Sequence, residues 1–182
     1  MTDPAPGSAR PYGGPYHRAA AAACARAVGI VVALVVAYYL VPLDTRSTTG
    51  TVLLLVCGLL AVLLVFGWEA RMILRSPHPR LKAVEALAAT VALYLVVFAS
   101  LYHVLEHDAP GSFTEPLTRT DALYFTLTTF TTVGFGDITA RSEASRVAVM
   151  CQMVCGLLLV GVAVRLLAAV VDAGLRRRGR GP

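Results

Sequence analysis

The sequence predicts an all-α membrane protein of four transmembrane helices, with a short helix that enters the bilayer and returns between the third and fourth. Three observations carry this expectation. Of 182 residues, 57% are apolar and only 15% charged, where a soluble domain is about a quarter charged. Four apolar runs, Ala19–Val41, Thr51–Trp68, Val84–Leu105 and Val147–Val171, each come close to the roughly 20 residues needed to cross a hydrocarbon core about 30 Å thick. About forty residues separate the third run from the fourth, far above the usual connection of about 4–6. The chain leaves no room for a separate soluble domain.

The elements follow in order. Residues 1–18 hold Pro4, Pro6, Pro11 and Pro15 and read as a disordered cytoplasmic tail. Arg10 and Arg18 before an Ala-rich run imitate a secretory leader, but no small-x-small site precedes Pro42, so the run reads as a spanning helix. A short outer loop, Pro42–Gly50, returns the chain through the second run. The inner loop Glu69–Lys82 completes an N-terminal hairpin and linker over residues 19–82. Residues 83–175 form the second module, and 176–182 a basic cytoplasmic tail.

Charge orients the chain. Arg10, Arg18 and Arg26, then Arg71, Arg75, Arg80 and Lys82, then Arg176, Arg177, Arg178 and Arg180 gather on one side. The first loop has only Asp44 and Arg46, and the third connection sets Glu106, Asp108 and Glu115 against Arg119. Lysine and arginine stay cytoplasmic, so both termini are expected inside a multi-pass protein of the cell membrane. The basic tail suits anionic lipid headgroups rather than nucleic acid. Cys24, Cys57, Cys151 and Cys155 lie in or beside apolar runs and read as small packing residues, not disulfides.

Within the long connection, Asp121–Phe130 reads as a short helix, capped by Thr120 or Asp121 and too short to span. The stretch TTFTTVGFGD, Thr128–Asp137, ends it and continues beyond. Irregular backbone at bilayer depth is tolerated only where it is buried in protein or lines a watery path. Successive carbonyls can point to one axis if alternate residues take left-handed torsions, which Gly134 and Gly136 allow. Such a row of oxygens can replace the hydration shell of K+. Val133 can pack behind the strand, and Thr132 can add a hydroxyl oxygen. The C-terminal end of the short helix, partly negative, favours a cation.

Thr131–Asp137, TTVGFGD, resembles the selectivity filter of potassium channels, whose usual form is TTVGYGD. Ala122–Phe125, with Tyr124, and Thr128 resemble the pore helix of that family. The resemblance covers residues 84–175 and implies a potassium-channel-like homotetrameric pore, because one filter per chain demands four copies. It implies K+ bound by the carbonyls of Thr132, Val133, Gly134, Phe135 and Gly136, with Asp137, Tyr124 and Thr128 supporting the filter. It also implies a hinge at Gly156, nineteen residues after Asp137, and a pore-facing stripe of Leu157, Val160, Val164 and Ala168. Phe135 replaces the family's tyrosine, so that hydroxyl contact to the pore helix is lost. Thr128 stands where some members carry an acid, so Asp137 lacks a carboxyl partner.

The expected function is passive, K+-selective conduction without an enzyme activity and with no cofactor besides the permeant ion. No helix carries the ladder of arginines that a voltage sensor needs, and no ligand-binding module is expected. A weakly selective cation channel and a non-conducting channel-like subunit use the same residues. His103-Val104-Leu105-Glu106-His107 spells a zinc-peptidase pattern, but without a catalytic domain it reads as a polar helix end, with a regulatory proton or zinc site as the alternative. Arg165 lies about 80° from Leu157 at 100° per residue and about 30 Å below Ser145. It is expected to turn sideways to anionic lipid, Glu69 or Asp172.

Overall fold

The computed structural model describes residues 15–40, nine residues between 53 and 67, and 79–178. Four helices are bounded: α1 (Pro15–Leu40), α2 (Pro79–Asp108), α3 (Arg119–Phe130) and α4 (Glu143–Arg178). The architecture is all-α. Among the described residues there is no strand, only an isolated antiparallel bridge between Phe113 and Ala140. Both α1 and α2 begin at proline, where the missing N–H is one the first helical turn leaves unused. α1 therefore takes in residues 15–18 of the segment read as tail, while residues 1–14 lie outside the described residues. α4 runs on through Arg178 into the basic segment.

Among the described residues, three helices are long and apolar enough to cross a membrane, at Ala21–Leu40, Lys82–Asp108 and Glu143–Arg165. The second expected span, Thr51–Trp68, lies largely outside the described residues, and those of it that are described are helical. Gly58 marks its close approach to α2: a Cβ there would sit 2.5 Å from Val97 Cγ1.

Lipid tails are as apolar as leucine, so helices in a bilayer are held by packing and hydrogen bonds rather than by escape from water. Here α2 is the central element. Tyr94, Phe98 and Tyr102 are fully buried along it. Tyr102, Phe113 and Phe125 form a ring triangle with centroids 5.2–5.6 Å apart, all edge-on. Each such pair adds about 0.5–1.5 kcal/mol beyond the area it covers, and the triangle ties α2, the loop after it and α3 together.

α1 is attached at two levels. Near its start, the Arg26 guanidinium donates to both carboxylate oxygens of Glu85, each at 3.2 Å, and Lys82 Nζ stands 3.5 Å from the same carboxylate. Near its end, the Tyr38 hydroxyl donates to the Arg119 carbonyl at 2.7 Å, and the Arg119 guanidinium donates back to the Tyr38 carbonyl. Tyr39 Oη lies 3.0 Å from Thr120 Oγ1. α1 thus bonds both to the base of α2 and to the first turn of α3.

Candidate functional site

α3 starts with a reciprocal cap. Thr118 Oγ1 accepts the Asp121 amide at 3.2 Å, and the Asp121 carboxylate accepts the Thr118 amide at 3.0 Å. Two of the amides that a helix start leaves unpaired are satisfied this way. The cap is therefore Thr118, earlier than the expected Thr120 or Asp121, and Asp121 is its partner three residues on.

The other end of α3 opens into the Gly-rich stretch. Thr132, Gly134 and Gly136 all have positive φ, at 59°, 53° and 81°. The alternation expected for Gly134 and Gly136 extends one step back to a threonine. A β-branched residue there costs on the order of 1–3 kcal/mol, and such strain gathers at functional sites. The turn is held by the carbonyl of Thr128, which accepts the amides of Val133 at 3.0 Å and Gly134 at 3.2 Å. Thr128 thus acts here through its backbone, while its own hydroxyl donates to the Phe125 carbonyl at 3.0 Å. Residues 131–137 are all exposed. Among the described residues, no hydrogen bond ends on the carbonyls of Thr132, Val133, Gly134, Phe135 or Gly136.

Tyr124 clasps the far end of the stretch. Its hydroxyl donates to Asp137 Oδ2 at 2.8 Å, and its ring lies parallel to that of Phe135 at 6.3 Å. Asp137 Oδ1 accepts the Ile138 amide at 2.9 Å. The phenol first, and that amide second, hold the Asp137 carboxyl below the usual carboxylate range, and the same bond raises the Tyr124 phenol. Asp137, expected to lack a carboxyl partner, is bonded to a tyrosine of the preceding helix instead. Thr114 then staples the outgoing chain: its amide donates to the Thr139 carbonyl and its hydroxyl accepts the Thr139 amide, both at 3.0 Å.

Glu106 shapes the loop between α2 and α3. Its buried carboxylate accepts the Gly111 amide at 2.9 Å and the Phe113 amide at 3.0 Å. His103 Nδ1 is 3.0 Å from the Leu117 carbonyl, an acceptor, so that nitrogen carries the proton. Among the described residues, no three His, Cys, Asp or Glu side chains gather as a metal site.

Sequence reasoning passed over Gln152. It is fully buried in α4. Its Nε2 donates to the Thr126 carbonyl at 2.9 Å, and its Oε1 accepts the Tyr102 hydroxyl. The Tyr94 hydroxyl donates to the Gln152 carbonyl at 2.5 Å. A lone glutamine inside an apolar helix, opposite Tyr94 and Tyr102 on the same side of its neighbour, was the available signal.

α4 passes through Gly156 as unbroken helix. A Cβ there would lie 2.9 Å from the Tyr94 hydroxyl, so the glycine lets α2 and α4 approach. Leu157 and Val160 line a cleft of about 790 Å³ together with Thr132, Gly134 and Gly136. Val164 is exposed further down the helix, and so is Ala168. Arg165 is exposed as well, while Glu69 and the side chain of Asp172, its suggested partners, lie outside the described residues.

Comparison with known proteins points the same way. Residues 89–173 match the family model described as ion channel. Over 71 residues, 39% of this chain, the sequence is 37% identical to two-pore potassium channel 1 of Arabidopsis thaliana, covering 19% of that protein. Over 98 residues, 53% of this chain, it is 26% identical to a candidate potassium channel protein of Rhodopseudomonas palustris, covering 23% of it. The chain thus spans about a fifth of the length of these curated relatives. No solved structure matches.

Proposed function

We propose that the chain, whose residues 89–173 match the ion channel family model, forms a K+-selective pore as a homotetramer, conducting passively across the cell membrane. The observation that carries this reading is the alternation of positive φ at Thr132, Gly134 and Gly136 in an exposed stretch whose carbonyls have no hydrogen-bond partner among the described residues. In the tetramer these oxygens face the axis and replace the water around K+. One chain supplies one side of such a cage, and four copies close it.

Tyr124 steadies the outer end of the filter through Asp137 and Phe135, and Thr128 anchors its inner end. Leu157, Val160, Val164 and Ala168 line the path below. Gly156 gives α4 a place to bend, and Arg165 reaches anionic lipid near the cytoplasmic surface, with both termini on that side.

The test is flux from purified protein in liposomes, followed by the reversal potential in mixed K+ and Na+. A K+ flux with a reversal potential near that of K+ is expected. A reversal potential indifferent to the cation would make the pore unselective, and no flux from intact tetramers would make the chain a non-conducting subunit.

A further inference from the structure

Inner and pore helices could pass one another with apolar contacts alone. Here they are joined by a buried amide, set by three hydrogen bonds around one residue of α4. Gln152 is fully buried, as are Tyr102 and Thr126. The Tyr102 hydroxyl, on α2, donates to Gln152 Oε1. The amide's direction is fixed by both contacts together, because the Thr126 carbonyl only accepts and so takes Nε2, leaving Oε1 for the Tyr102 hydroxyl. Nε2 then reaches the Thr126 carbonyl on α3 at 2.9 Å.

Thr126 stands two residues before Thr128, whose carbonyl receives the amides of Val133 and Gly134. Its own hydroxyl is turned back to the Ala122 carbonyl at 2.7 Å, so the cross-link to α4 is made by backbone alone on the α3 side. At the Gln152 backbone, the Tyr94 hydroxyl adds a bond at 2.5 Å to the carbonyl. A buried amide that lost its partners would cost more than the bond itself, so the arrangement resists sliding of α4 against α3.

The geometry points to Gln152 as a positioning residue for the filter: with Tyr102 bonded to its amide, it fixes the last two turns of α3 against α4 and thereby holds the Thr128 carbonyl under Val133 and Gly134. Gln152 touches no ion. It acts through α3, and displacement of α4 reaches the Gly-rich stretch through this amide. The inference rests on the channel reading above.

The test uses the full-length protein in liposomes and planar bilayers. Gln152→Met keeps the length of the side chain and removes both polar atoms. Tyr102→Phe leaves Gln152 in place and strips its buried Oε1 of a partner, so it serves if the first variant does not assemble. In each, the current should decay faster when external K+ is lowered, by between about twofold and tenfold in Tyr102→Phe, the range that loss of one hydrogen bond of ordinary strength gives, and by at least as much in Gln152→Met, which loses two. The Na+/K+ permeability ratio should rise. The double variant should decay no faster than the more affected single one, since both remove one unit.

A role confined to stability would lower the thermal midpoint of the tetramer and leave decay and permeability ratio alone. Wild-type decay and permeability in folded Gln152→Met and Tyr102→Phe would overturn the inference while the channel reading stood. Absence of K+ flux from the wild type would overturn both.

Discussion

Gly156→Ala separates close packing from bending. An alanine Cβ would lie 2.9 Å from the Tyr94 hydroxyl, whereas contact with Phe130 Cδ2 at 3.5 Å and Tyr94 Cζ at 3.7 Å is ordinary. Only the hydroxyl has to move, by about half an ångström to regain normal contact. Moving it stretches the 2.5 Å bond to the Gln152 carbonyl. Overpacking of this kind costs about 1–3 kcal/mol, offset by roughly 1 kcal/mol from replacing glycine with alanine in a helix. The single substitution should therefore destabilise by about 0–2 kcal/mol. Tyr94→Phe alone should cost about 0.5–1.5 kcal/mol for its lost hydrogen bond. In that background nothing obstructs the methyl group, and Gly156→Ala should be neutral or stabilising. Denaturation of the detergent-solubilised protein across the four variants, wild type included, closes the cycle, and the pair should couple by more than about 0.5 kcal/mol. Additivity within that margin would refute the contact. Open probability adds the second reading: if Gly156 also bends, the double variant keeps altered gating after its stability is restored.

Gly134→Ala places an L-residue at φ 53°, a torsion that disfavours it by about 1–2 kcal/mol in each chain, and K+ selectivity or conduction should be lost; wild-type reversal potentials would contradict the filter assignment. Tyr124→Phe removes the main cause of the lowered Asp137 pKa. A depressed acid stabilises the fold above the ordinary carboxylate range and loses that contribution as pH falls through its depressed value. The variant should therefore lose outer-mouth stability at a higher pH than the wild type, read from the acid limb of current against external pH; an unmoved limb would show that the bond is not formed in the membrane. Arg165→Gln should shift open probability and its dependence on anionic lipid while leaving selectivity alone. A rise in unitary conductance at unchanged open probability would put Arg165 in the pore.

The left-handed torsions of the Gly-rich stretch were legible because they demand rare residues at fixed spacing, glycines at 134 and 136. The three described apolar spans were legible because membrane thickness sets their length. The positive φ of Thr132 was not, since threonine usually avoids it and only the completed turn around the Thr128 carbonyl imposes it. Tyr124 could be placed in the pore helix, but its bond to Asp137 crosses thirteen residues and depends on how the stretch folds back. Gln152 and Glu106 were missed for a common reason. Each is a polar residue whose partners come from other segments, and a pattern within one helix carries no record of them. Glu106 sat inside a motif that invited a metal reading, and two backbone amides use its carboxylate instead.

The attachment of α1 at Arg26 and at Tyr38 has a mechanical consequence. Twelve residues of helix separate the two points, a rod of about 18 Å at 1.5 Å per residue. A helix hardly changes length, so it behaves as a spacer bar between the Glu85 level of α2 and the first turn of α3. If the bilayer thins or the base of α2 swings outward, the bar must tilt or one end must let go. One end is a two-pronged ion pair to Glu85, and the other joins Tyr38 to Arg119 by a reciprocal pair of bonds, one of them from the charged guanidinium. Load carried along α1 would thus reach Arg119 and Thr120, at the first turn of α3.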